Sequence, residues 1–164
     1  MNMKILFIDI DGVLVPDKCK YLNHNAPETM KDVDHWCYFD PFAVAFLNEV
    51  FAKEHTLHGV IHSTWKKFYS EDKLKNMFSS SGCNFRWHND MVAVTTSTKF
   101  DSRWDDIDNW LLQHIEVKRQ DLAIIDDAKP ASHLKSRTVR TNEQIGITDK
   151  NCERLLNLLQ IQLL

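Results

Sequence analysis

Four apolar residues in succession, Ile5-Leu6-Phe7-Ile8, run directly into Asp9-Ile10-Asp11-Gly12. No polar residue interrupts the run, so the segment from Met3 to Ile8 is predicted as a strand buried on both faces, which requires a parallel sheet covered by helices on each side. The abrupt stop at two acids also rules out a signal-peptide core or a membrane span. The rest of the chain repeats the pattern. Leu57 to His62 is a second apolar strand running into Ser63-Thr64-Trp65, and Leu122 to Ile125 is another, ending at Asp126-Asp127. Shorter strands are predicted at Met91 to Thr95 and Thr138 to Thr141.

Helical periodicity fills the intervals. Asp40 and Pro41 are suited to the N-cap and first position of a helix reaching His55. Ser70 to Phe78 is predicted helical until the serines and Gly82 stop it, and Asn151 to Leu163 closes the chain as an amphipathic helix. Asp101 or Ser102 is the expected cap of a helix carrying Trp104, Ile107, Trp110, Leu111 and Ile115. Strands alternating with helices imply an α/β fold with a mostly parallel sheet and right-handed crossovers. At 164 residues the chain, 1–164, is expected to be one domain. Residues 13–40 are polar and aperiodic and are read as a flap or lid.

Apolar residues at 43% and charged residues at 26% suit a soluble protein, expected in the cytoplasm with no membrane association and no obligate protein partner. A net charge of −3 gives no global grip on nucleic acid, although a local basic patch is compatible with it. The four cysteines form no CxxC pair and are expected to be reduced. His24, His35, Cys37, Cys83 and His88 match no zinc spacing. The tryptophans are read as packing residues, with Trp36 and Trp65 near the strand ends as secondary stacking candidates. Lys66-Lys67 and Lys118-Arg119 are read as solvated faces.

In open α/β sheets ligands bind beyond the carboxyl ends of the strands. Three such ends here supply Asp9 and Asp11, Ser63 and Thr64, and Asp126 and Asp127. Four carboxylates in one place repel one another unless a cation lies among them, and oxygen ligands without His or Cys favour Mg²⁺. Such a cluster suits phosphoryl transfer, in which one carboxylate attacks and a second, two residues on, moves the proton.

With these residues placed, Ile5 to Leu14, with its Asp9-Ile10-Asp11-Gly12-Val13-Leu14, resembles the first motif of the haloacid dehalogenase (HAD) superfamily in its phosphatase branch. Val60-Ile61-His62-Ser63-Thr64-Trp65-Lys66 is similar to the second motif and Ile124-Ile125-Asp126-Asp127 to the fourth. Arg103, opening a helix, resembles the basic third motif, with Lys99 four residues earlier as the alternative. The resemblance implies a three-layer Rossmann-like HAD fold of the nearly capless type. It further implies Asp9 as nucleophile, Asp11 as general acid and base, Ser63 on a transferring oxygen and Arg103 on the phosphoryl charge. Asp126 and Asp127 would hold Mg²⁺ with Asp9 and the carbonyl of Asp11. Gly12, Thr64, Trp65 and Lys99 are the expected substrate-binding residues.

The order of Ser-Thr-Trp-Lys, a basic helix start and Asp-Asp is similar to small HAD phosphatases linked to RNA repair and to the phosphatase halves of polynucleotide kinase-phosphatases. An open site of that kind implies a phosphomonoester substrate such as a nucleotide or a polynucleotide 3′-phosphate, with a small metabolite phosphate next. A dehalogenase does not need the carboxylate of Asp11. A phosphoacceptor domain needs a mid-chain strand-end Asp that is missing, although Lys129-Pro130 fits its pattern. A protein that holds a phosphorylated ligand without turnover is the remaining alternative.

Overall fold

The computed structural model describes residues 2–19, 39–93 and 103–163. Five strands form one parallel sheet: β1 (Lys4–Ile8), β2 (Leu57–Ile61), β3 (Trp87–Val92), β4 (Leu122–Asp126) and β5 (Thr138–Arg140), in the order β3-β2-β1-β4-β5. The α-helices whose bounds lie within the described residues are α1 (Pro41–Lys53), α2 (Glu71–Ser80), α3 (Arg103–Gln113) and α4 (Asp149–Leu159). This is the three-layer Rossmann-like architecture that the sequence resemblance implies.

Alternation along β1 builds the layers. Leu6 and Ile8 join the core formed by α1, α2 and α4, with Leu47, Val50, Phe78 and Leu155, whereas Ile5 and Phe7 join Trp104, Ile107 and Trp110 of α3. A strand side chain points to alternate faces, so an uninterrupted apolar run is what a sheet covered on both sides demands. Phe7 meets Trp110 edge-on, with ring centroids 5.3 Å apart.

The register then aligns the strand ends. Ile8 stands opposite both Ile61 and Ile125. The next residues, Asp9, His62 and Asp126, therefore emerge side by side, fixed by Asp9 N–H donating to Ile125 O and His62 N–H to Ile8 O. The sheet grows from β1 towards β3 on one side and then continues from β4 on the other. The order thus reverses between β1 and β4, the position where open α/β sheets form their ligand crevice.

Several boundaries differ from expectation. The helix starting at Pro41 ends at Lys53, with Asp40 capping it by accepting from Phe42 N–H at 3.3 Å as predicted. β3 begins at Trp87, earlier than Met91, because an edge strand carries the polar His88, Asn89 and Asp90 on its exposed stretch. Gly59 of β2 makes room for it: a Cβ there would lie 2.9 Å from the Trp87 ring. Ile115 lies beyond the end of α3 and is 87% exposed, so it is not part of that helix's apolar stripe. α4 starts at Asp149 because Thr148 and Asn151 form a reciprocal capping box, and it stops at Leu159 where Gln160 turns left-handed. The expected caps Asp101 and Ser102, Trp36 and most of the 13–40 flap lie outside the described residues. Cys19, Cys83 and Cys152 are free thiols, and Cys37 lies outside the described residues. Among the described residues no helix is long and apolar enough to cross a membrane.

Candidate active site

Asp9 follows β1 and is 1% exposed. Its Oδ1 accepts from Ile10 N–H at 2.8 Å, and its Oδ2 lies 2.8 Å from Nη2 of Arg103. Asp126 ends β4 fully buried, with Oδ1 accepting from Ala128 N–H at 2.8 Å and standing 3.3 Å from Arg103 Nη1. Arg103, the first residue of α3, thus bridges the two carboxylates. Burial pushes the Asp9 carboxyl up to about 7, with Asp126 adding repulsion and Arg103 working the other way. Asp126 is likewise raised to about 7, first by burial, against the pull of Arg103.

Asp9, Asp126 and Asp127 each offer a carboxylate oxygen within 4.8 Å of the others. Both Oδ2 atoms are buried, that of Asp9 facing Arg103 Nη2 at 2.8 Å and that of Asp126 facing His62 Nε2 at 3.2 Å. An all-oxygen set in which burial and mutual repulsion destabilise two of the three carboxylates fits a hard divalent cation such as Mg²⁺. Gly12 lets the first loop approach this cluster. Its φ is +69°, and a Cβ there would fall 2.5 Å from Asp127 Oδ2. Thr141 Oγ1 donates to Gly12 O at 2.8 Å and ties the loop to the end of β5.

Asp11, two residues after Asp9, lies apart from the carboxylate trio. Its Oδ2 accepts from the Trp65 indole N–H at 2.7 Å. Trp65 belongs to a 3₁₀ turn, Thr64–Lys67, that Ser63 caps by accepting from Trp65 N–H at 3.4 Å. Ser63 is buried after the end of β2, and Thr64 is exposed at the start of the turn. The structure therefore brings Asp9, Asp11, Gly12, Ser63, Trp65, Arg103, Asp126 and Asp127 to one end of the sheet. Lys99 lies outside the described residues.

Two residues here escaped the sequence reading. Lys66 is not on a solvated face: only 6% of its side chain is exposed, and its Nζ pairs with Asp106 of α3 and donates to Ala93 O. Lys67 remains exposed. His62 is fully buried, with Nε2 3.2 Å from Asp126 Oδ2 and its ring 5.3 Å from that of Trp104. Burial, reinforced by Arg103 and Lys66, pushes its pKa down to about 3, so the imidazole is neutral. The available signal was position alone, since both residues flank the predicted Ser63.

The profile of the family described as the HAD domain in Swiss Army Knife RNA repair proteins matches residues 5–152. No curated protein and no solved structure gives a significant match. The chain belongs to that HAD family, and its activity falls within the HAD phosphohydrolase class.

Proposed function

We propose that this HAD domain hydrolyses a phosphomonoester through an aspartyl phosphate on Asp9, with a nucleotide or polynucleotide 3′-phosphate as the preferred substrate. The observation that carries the reading is the pairing of two differently held acids. Asp9 is buried against Arg103 and beside Asp126 and Asp127, whereas Asp11 is held outside that cluster by the Trp65 indole. One environment suits a nucleophile facing phosphate charge and the other suits a proton carrier.

In the first step a carboxylate oxygen of Asp9 bonds to phosphorus as the bond to the leaving oxygen breaks, and Asp11 delivers a proton to that oxygen. In the second, Asp11 takes a proton from water, the water oxygen bonds to phosphorus, and the P–O bond to Asp9 breaks to release phosphate. Arg103 neutralises the phosphoryl oxygens during both steps, and Ser63 donates to one of them. Asp9, Asp126, Asp127 and the Asp11 carbonyl would hold Mg²⁺, which would supply charge neutralisation at the phosphoryl group.

The test is phosphate release from nucleoside 3′- and 5′-monophosphates, 3′-phosphorylated oligonucleotides and sugar phosphates, in Mg²⁺ and in EDTA. Release that needs Mg²⁺ and disappears in Asp9→Asn and in Asp11→Asn is expected. Full activity in excess EDTA refutes the metal requirement. Binding without release from any substrate makes the domain a holder of phosphorylated ligands.

A further inference from the structure

The chain carries a net negative charge, yet one face concentrates the opposite sign. Beside the edge strand β5 lies a groove of about 810 Å³ whose lining includes Lys129, Lys135, Arg140 and Arg154, with Ser132 and Thr138 between them. No carboxylate lines it among the described residues. All four cations belong to exposed residues, and none forms an ion pair with an acid among the described residues. They come from four separate elements: the loop after β4, the 3₁₀ turn Lys135–Arg137, the end of β5 and α4. Two are oriented by backbone. Arg140 Nε donates to Asp127 O at 2.9 Å, and Arg154 Nε to Thr138 O at 3.1 Å. Each therefore retains guanidinium N–H groups for a ligand.

The groove connects with the acid site. Arg140 also lines a second cavity, of about 400 Å³, together with Asp127, Thr141, Asn142 and Glu143. Asp126 stands opposite Arg140 in the β4–β5 register, so Arg140 sits at the catalytic end of the sheet, while Lys135 precedes the amino end of the same strand. The positive charge therefore lies along the groove at the outer edge of the sheet and meets the cavity beside Asp127 at Arg140.

We propose that this groove binds the sugar-phosphate backbone of a single-stranded polynucleotide whose terminal phosphate lies at Asp9. The inference rests on the phosphomonoesterase reading and selects, within it, polynucleotide ends over free nucleotides. A single phosphate is satisfied by one or two cations at one point. Cations spread over four elements along a channel fit a chain of regularly spaced phosphates. A phosphopeptide does not supply that repeat.

The measurement is fluorescence anisotropy of a labelled single-stranded ten-nucleotide RNA, with and without a 3′-phosphate, titrated with Asp9→Asn protein across a salt series. A nucleoside 3′-monophosphate and a singly phosphorylated peptide serve as competitors. Lys129→Ala/Lys135→Ala, made in the same background, alters exposed side chains outside the acid site. Binding at least about tenfold weaker in this double variant, with the salt slope smaller by about 1.4, is expected for two lost phosphate contacts on a single strand. In protein with Asp9 intact, the double variant should raise KM for the 3′-phosphorylated RNA about tenfold and leave mononucleotide hydrolysis unchanged. Equal affinity for RNA and mononucleotide, an unchanged Kd in the double variant, or preference for the phosphopeptide overturns the proposal. RNA binding to the groove with no hydrolysis of any substrate instead defeats the phosphatase reading alone. Hydrolysis of RNA and mononucleotide alike, insensitive to the double variant, defeats the groove alone.

Discussion

Trp65 shows how one side chain links packing to chemistry. Its ring packs partly buried against the larger core and lies 5.7 Å from the Tyr69 ring, while its N–H fixes the carboxylate of Asp11 at 2.7 Å. Trp65→Phe keeps the aromatic volume and removes the donor. A hydrogen bond to a charged group contributes about 1.5–3 kcal/mol, so kcat should fall roughly 10- to 100-fold if Asp11 must be held for proton transfer. KM should change little. A kcat equal to that of the parent protein would reduce Trp65 to a packing residue. Gly12→Ala bears on the neighbouring loop: the positive φ and the 2.5 Å approach of a Cβ to Asp127 should cost roughly 1–3 kcal/mol, read as a lower Tm.

At the scale of elements, the 3₁₀ turn after β2 and the start of α3 are joined by the pair of Lys66 and Asp106. Asp106 lies one turn along α3 from Arg103, so this buried pair also anchors the helix that presents Arg103 to Asp9. Lys66→Met leaves the Asp106 carboxylate buried without its cation. A loss of about 3–5 kcal/mol is expected, a fall in Tm of roughly 6–20 °C, with much of it recovered in Lys66→Met/Asp106→Leu. Equal Tm for parent and single variant would show that the pair adds nothing. The contrast between this pair and β1 explains what could be read from sequence. β1 and β4 are buried on both faces, so their composition is dictated locally, and the acids that follow them stand out. Asp40-Pro41 likewise announces α1 through cap chemistry. Lys66 looks like any surface lysine, because its burial depends on a helix some forty residues away. β3 hides its start because only one of its residues, Met91, is fully buried. The basic groove draws on four elements and leaves no local mark at all.

For the whole molecule, the acid cluster is a source of instability that a cation should relieve. In the folded protein without metal, Asp9 and Asp126 are raised from the usual carboxylate range to about 7, mainly by burial. Between about pH 4 and pH 7 these two acids therefore hold more protons in the folded chain than in the unfolded chain, and their contribution to stability falls as pH rises through that window. Asp126→Asn removes one of the two charges and relieves the repulsion on the other. In EDTA the Tm of Asp126→Asn minus that of the parent should accordingly be larger at pH 8 than at pH 5. Each pKa unit corresponds to about 1.36 kcal/mol, so the increase should reach several degrees. Comparing the two proteins at each pH cancels groups with the opposite dependence, such as Glu54, whose carboxyl its Lys4 and Thr56 partners lower to about 2 against the effect of burial. Adding Mg²⁺ at pH 8 should raise the Tm of the parent and leave that of Asp126→Asn nearly unchanged, since a cation that binds only the folded state stabilises it by mass action. A difference independent of pH would show that the two acids carry no shared electrostatic cost. Equal Mg²⁺ stabilisation of both proteins would place the cation away from Asp126.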